Sequence, residues 1–434
     1  MPTIVTDVYL SDMPSLFQRF VDIVEDRHWQ RGLKPLLDES RRNSFLRNYY
    51  RREHSVAFQL ADCSALAKRY GSLHGDMVHQ NGLTEAVRFI VQVLSLVEGL
   101  PARVRDSFLG RVRNALRKPG EMRGLQLELT AATHFTRLGY SVRWPELEPA
   151  HPLIQGATFD LLIEDLGGTG LEVECKAASH DKGRSIHRTS ALRFYEILRK
   201  ELVSTSDALR TGLAVIVSVP MQFPASSDAQ RDLAKHVRRQ IVEGVSGVLP
   251  DGTSVRISEF DVTMMRDVDL NPESPAARAV IDAVTGTHNL GAMLLGRRNV
   301  GALAIVLQSA QDDSLMGAVF ETANAAARDQ LSGKRAGLIL IGFQGVEADD
   351  LRTLAYQDAD PSQPPTAARL AASRFLAGAN RRHVVGIGFL SEGERTWLED
   401  GGMTSGGVSY HFSNETSPLW VPEFAEIFRG GATR

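Results

Sequence analysis

Disulfide chemistry has almost no material here: the 434 residues include two cysteines, Cys63 and Cys175. Cys175 falls inside a strand-like run, which excludes a disulfide framework and leads us to expect a reducing, cytoplasmic compartment. No apolar run approaches the ~20 residues that span a bilayer. The start, "MPTIVTDVYLSDMP", has neither the basic nor the apolar segment of a secretion signal. No membrane partner is therefore expected. A net charge of −3 gives no global attraction to polyanions, so any cationic surface must be local. P-loop, CxxC and HExxH motifs and internal repeats are missing too. What remains is ordinary for a globular chain, 43% hydrophobic and 23% charged, with length for two or three domains.

Periodicity divides the chain. Residues 1–118 read as helical, because "SLFQRFVDIVEDRHW" and "LTEAVRFIVQVLSLVEGL" space their apolar residues for helices. "RKPGEMRG" is a break. Residues 119–250 then alternate as αβββαβ: a helix near 124–138, strands at 140–144, 158–165 and 171–178, a helix at 185–203, and a strand at 212–220. Residues 251–434 continue as an α/β region that either extends the same sheet or forms its own layer. Buried strands are expected there at 301–309, 336–344 and 383–390. The fold class is mixed α/β with a helical N-terminal domain.

One strand does not fit a bland core. In "LEVECKAA", Leu171, Val173 and Cys175 share one face, and Glu172, Glu174 and Lys176 share the other. Ionised groups on a central strand are costly unless they are paired or bind a metal. The glycine-rich link "EDLGGTG" reads as a hairpin. A three-residue loop there sets Asp160 opposite Lys176, with Glu174 on the diagonal. Upstream, in "GLQLELTAATHFTRLGY", Glu128 lies mid-stripe among Leu125, Leu129, Ala131, Ala132 and Phe135. That position suits a glutamate aimed at a site. Three carboxylates without a thiolate or histidine cluster suit Mg²⁺ or Mn²⁺ rather than zinc. Glu172 lies nearer the turn and is read as peripheral.

Asp160, then Glu174-Cys175-Lys176 on the next strand, with Glu128 on the preceding helix, resembles the PD-(D/E)XK nuclease superfamily over about residues 124–220. Phe159 stands where the motif's name has proline. The resemblance implies a restriction-endonuclease-like core and a metal-dependent phosphodiesterase, an endonuclease more than an exonuclease. Asp160, Glu174 and the Cys175 carbonyl would hold Mg²⁺ or Mn²⁺. Lys176 would position the attacking water, and Glu128 would assist. The implied partner is nucleic acid, DNA ahead of RNA, in restriction, phage defence or DNA processing. Two other readings stand beside it. One is a catalytically inert nuclease-like fold that binds nucleic acid or protein. The other is a regulatory subunit whose C-terminal region makes a homodimer or engages a partner protein.

Three basic stretches are candidates for phosphate contact. "SHDKGRSIHR" offers Lys182, Arg184, His187 and Arg188, along with His180, at a helix start. "ARVRDSFLGRVRNALRK" offers Arg111, Arg113, Arg117 and Lys118 beside a Val104, Phe108, Val112, Leu116 core stripe. In "RRNSFLRNYYRR", Phe45 and Tyr49 either stack on bases or simply pack in a core.

Overall fold

The computed structural model describes residues 3–149, 151–179, 181–266, 268, 274–286, 292–297, 300–343, 346–391, 394–398 and 401–427. It is mixed α/β, with helices leading and sheets following. Strand β1 (Thr3–Tyr9) opens the chain, a departure from an all-helical first region. Helices α1 (Met13–Val24), α2 (Arg27–Arg42), α3 (Leu46–Glu53), α4 (Ser55–Tyr70), α5 (Gly75–Asn81), α6 (Thr84–Gly99), α7 (Ala102–Arg117) and α8 (Met122–Arg137) follow. Next come β2 (Val142–Arg143), β3 (Leu161–Ile163), β4 (Leu171–Ala178), α9 (Arg188–Ala208), β5 (Gly212–Val219), α10 (Ser227–Glu243), β6 (Gly247–Val248), β7 (Ser254–Phe260), α11 (Pro275–Thr285), β8 (Ala292–Arg297) and β9 (Gly301–Ser309). The chain closes with α12 (Leu315–Asp329), β10 (Ala336–Phe343), α13 (Ala348–Ala359), α14 (Ala367–Leu376), β11 (Val384–Leu390), β12 (Glu394–Trp397) and β13 (Gly402–Ser413). No helix among the described residues is long and apolar enough to cross a membrane.

Among the described residues these strands form two sheets, which belong to two compact units. The first unit comprises residues 1–37, 50–182 and 316–434. Its sheet runs β1-β13-β11-β10-β4-β3-β2, with β12 added to β13. Strand β4 is central. It pairs antiparallel with β3 and parallel with β10, which sets Ile339 beside Glu174 and Ile341 beside Lys176. Helix α8 lies on one face, where Leu127 approaches Gly342 within 3.0 Å of a Cβ position. Over the other face, α12, α13 and α14 bury Val319, Phe320, Ala323, Leu351, Ala372 and Phe375 against Ile339 and Ile341.

The second unit comprises residues 38–49 and 183–315, with the sheet β6-β7-β5-β9-β8. Phe194, Tyr195 and Leu198 of α9 and Leu233 and Val237 of α10 pack on Val215, Val217 and Ile305. Its two long boundaries meet: Ser314 N donates to Gly183 O at 2.9 Å.

This arrangement corrects the expected domain limits of 1–118, 119–250 and 251–434. Strand β5 is not the fourth strand of the β4 sheet. It pairs with β7 and β9 in the second sheet. The place beside β4 is taken by β10, which is reached through α12. An αβββ run and an αβ run are thus separated by residues 183–315. The region 251–434 is itself divided, supplying β8 and β9 to one sheet and β10, β11 and β13 to the other.

Candidate functional site

The charged face of β4 is the centre of the site. Leu161 pairs with Val173 and Leu162 with Glu172, two residues away from the expected register, and Asp160 lies one residue before β3. This corrects the expected pairing of Asp160 with Lys176. The connection from β3 to β4 spans residues 164–170 rather than three residues, and Gly167, Gly168 and Gly170 all have positive φ within it. The register moves by two, which preserves the face that each side chain occupies. Asp160 Oδ2 accepts a hydrogen bond from Cys175 N–H at 2.8 Å, which ties the carboxylate to the backbone of β4.

Glu174 is fully buried, flanked in register by Ile339. Lys176 Nζ lies 2.6 Å from its Oε1. The Lys176 ammonium and the Asp160 carboxyl are its polar neighbours. Burial pushes the Glu174 carboxyl up, and the charge of Asp160 adds to the shift, while Lys176 opposes both. Burial likewise raises Asp160, against the Cys175 N–H bond and the charges of Lys176 and Arg111. The Lys176 side chain is 26% exposed and Ala177 is exposed, so the site opens at the C-terminal end of β4. This is physical context for a loaded site: two buried carboxylates, one ammonium, and too few donors to neutralise both acids.

Glu128, buried on α8, lies within electrostatic reach of Asp160 and Cys175. Leu125, Leu127, Leu129, Ala131, Ala132 and Phe135 are buried around it, and Glu128 itself is 5% exposed. Leu138, just past the end of α8, is exposed. Burial and then the Asp160 charge push the Glu128 carboxyl up to about 8, against the pull of Arg111. Its partner is Arg111 rather than Lys176: Arg111 Nη2 is 2.7 Å from Glu128 Oε1 and 2.6 Å from Oε2. Arg111 Nη1 is also 3.0 Å from Glu146 Oε2, and the guanidinium lies 5.9 Å from the centre of the Trp144 ring. Sequence reasoning missed Trp144 and Glu146. Their signal was the "WPELE" turn directly after β2, whose carboxylate and ring have no role in a strand pattern.

Glu172 is also fully buried, but its partners are structural. Ser332 N and Oγ donate to it at 2.8 and 2.5 Å, and Arg335 lies 3.5 Å away, so it anchors the turn before β10. Among the described residues, no group of three or more His, Cys, Asp or Glu side chains is arranged to hold a metal ion. The side-chain donors for an ion at β4 are therefore Asp160 and Glu174. The Cys175 thiol is held neutral, pushed well above its usual range by burial and then by Asp160. The donor set is hard oxygen.

The basic stretches divide. Lys118, just past the end of α7, keeps its head largely in solvent, beside Glu121 at 3.1 Å. Arg113 donates to Ile23 O at 2.5 Å and Arg117 to His28 Nδ1 at 2.8 Å. Each of the two is engaged by a neighbouring helix, while Arg117 remains exposed. Lys182 belongs to the first unit, whereas Arg184, His187 and Arg188 belong to the second. His187 is exposed at the start of α9. His180 lies outside the described residues. Phe45 packs 6.3 Å from Tyr195, and Tyr49 and Tyr50 are buried, so this stretch serves a core. The more open clefts lie elsewhere, one of about 470 Å³ along α10 and one of about 350 Å³ between α12 and α14.

No protein-family model matches this chain, and no curated protein or solved structure matches it.

Proposed function

We propose that the protein is a metal-dependent phosphodiesterase acting on nucleic acid, with DNA as the favoured substrate and Asp160, Glu174, Lys176 and Glu128 as its working groups. One observation carries this reading. Asp160 is tied to β4 through the Cys175 N–H, beside a fully buried Glu174 whose Oε1 lies 2.6 Å from the Lys176 ammonium. A core paying that electrostatic cost without using it would replace either acid with a hydrocarbon side chain. The order of elements supports the same reading. With residues 183–315 set aside, α8, β2, β3, β4, α12 and β10 run αβββαβ, the order of the PD-(D/E)XK nuclease core.

The residues fit a hard divalent ion. Asp160 and Glu174 would hold Mg²⁺ or Mn²⁺ with the Cys175 carbonyl. Mg²⁺ commonly takes one or two carboxylates and fills its sphere with water and phosphate oxygens. When bound, such an ion polarises the phosphoryl oxygen and acidifies a water. Lys176, at the open end of β4, would hold the attacking water by its ammonium group and balance the charge of Glu174. The Cys175 N–H fixes the rotamer of Asp160. Glu128, kept in place by Arg111, adds a carboxylate that can accept a proton.

The test is cleavage of plasmid, single-stranded DNA and RNA with Mg²⁺ or Mn²⁺, and with chelator, by wild type, Asp160→Asn and Lys176→Ala. The reading requires cleavage that needs the ion and that both substitutions abolish. Binding without cleavage, unchanged by either substitution, identifies an inert binding module instead.

A further inference from the structure

Arg111 holds two carboxylates of opposite character. Its Nη2 faces Glu128, whose side chain is 6% exposed, and its Nη1 faces Glu146, whose side chain is 67% exposed. The Arg111 side chain is 21% exposed, and its guanidinium rests near the buried Trp144 ring, which itself packs on Phe108 at 5.7 Å. Its stem is therefore fixed, one end of the fork is committed to the acid cluster, and the other end is closed by a carboxylate in water.

The geometry points to a phosphate clamp: Arg111 takes a phosphate of the nucleic-acid substrate on its outer nitrogen, and Glu146 occupies that position in the free protein. This rests on the phosphodiesterase reading and deepens it by assigning a substrate-binding residue and its internal competitor. The chemistry is direct. The outer guanidinium nitrogen donates to a phosphate oxygen as it does to a carboxylate oxygen, while the inner nitrogen stays on Glu128. A bond to a mostly exposed carboxylate contributes little and is screened by salt, so a polyanion displaces it readily. The inner bond to buried Glu128 persists, because breaking it would strand a charge in the core. Arg111 would thus connect the substrate backbone to the same acid cluster that carries the chemistry, and Glu146 would set how readily the clamp opens.

The experiment measures affinity for a short DNA duplex by fluorescence anisotropy in chelator, and KM and kcat with Mn²⁺. The variants are Glu146→Gln, Arg111→Lys and the pair combined. Glu146→Gln should tighten binding about three- to five-fold, the range that release of one exposed ion pair permits. KM should fall and kcat should stay unchanged. Arg111→Lys retains the charge that Glu128 needs but loses the fork. It should weaken binding, and in its background Glu146→Gln should have little effect. If Glu146→Gln tightens binding equally with Arg111→Lys, the effect is general loss of negative charge and the clamp is refuted. If wild type and Glu146→Gln bind the duplex equally while metal-dependent cleavage is intact, the clamp fails and the enzyme reading stands. If no variant, wild type included, cleaves any nucleic acid with Mn²⁺, both fail.

Discussion

Replacing Glu174 with glutamine should stabilise the metal-free protein while disabling its site. The Glu174 carboxyl is shifted from its ordinary 4.5 up to about 8, first by burial and then by Asp160. An acid with a raised folded-state pKa binds its proton more tightly in the fold than in the unfolded chain. The fold therefore loses stability as pH rises through the window from about 4.5 to about 8. At ~1.4 kcal/mol per unit, ionising Glu174 costs the metal-free fold at most about 5 kcal/mol above that window. Glutamine carries no charge and keeps an oxygen that Lys176 can donate to, but its amide must find an acceptor, with Asp160 beside it. A net gain of roughly 1–3 kcal/mol near pH 8 follows after that allowance. The assay is urea denaturation of wild type and Glu174→Gln in chelator at about pH 5 and about pH 8, repeated with Mg²⁺. The variant should be the more stable in chelator at the higher pH, and the gap should close at the lower one. Mg²⁺ should raise the wild type alone, by mass action on the folded state. A variant less stable than wild type in chelator near pH 8, or a gap that does not change with pH, would refute the electrostatic reasoning.

Further outcomes test the frame around the site. Burial, then the Arg123 charge, holds His54 down from 6.5 to about 4. The unfolded chain takes up that proton first, so stability should fall as pH drops from 6.5 to about 4, by up to about 3 kcal/mol. A His54→Gln variant should flatten this acid limb in a pH series of thermal melts. Glu172→Ala leaves Ser332 and Arg335 without their buried acceptor and should cost roughly 2–4 kcal/mol in urea denaturation. Because Glu172 is outside the proposed donor set, the stabilising effect of Mg²⁺ should survive that change. Joining Gly183 to Ser314, which are already hydrogen-bonded, should leave a first unit that unfolds cooperatively in calorimetry.

Strand β4 was legible to the residue, since the alternation in "LEVECKAA" needs only local sequence. The burial of Glu128 was legible for the same reason: helical spacing alone places it mid-stripe. The partner of β4 was not. "GLAVIVSV" and "AGLILIGF" are equally apolar, and periodicity holds no information about which one crosses to a strand far away in sequence. The nearer candidate was the wrong one, because residues 183–315 form a unit of their own. Register failed by two for a related reason: three glycines marked a turn but not how many residues it would take. β1 was overlooked because its edge pairing with β13 joins opposite ends of the chain. For Arg113 and Arg117 of α7 the charge is visible in sequence, whereas their partners Ile23 O and His28 Nδ1 become visible only in the fold.

The most direct measurement is an equilibrium titration of Mn²⁺ into the protein, followed by electron paramagnetic resonance, for wild type, Asp160→Asn and Glu172→Ala. If Asp160 and Glu174 form an ion site, wild type and Glu172→Ala bind one Mn²⁺ that Asp160→Asn does not. Equal binding by wild type and Asp160→Asn, or no binding by any of the three, would contradict it.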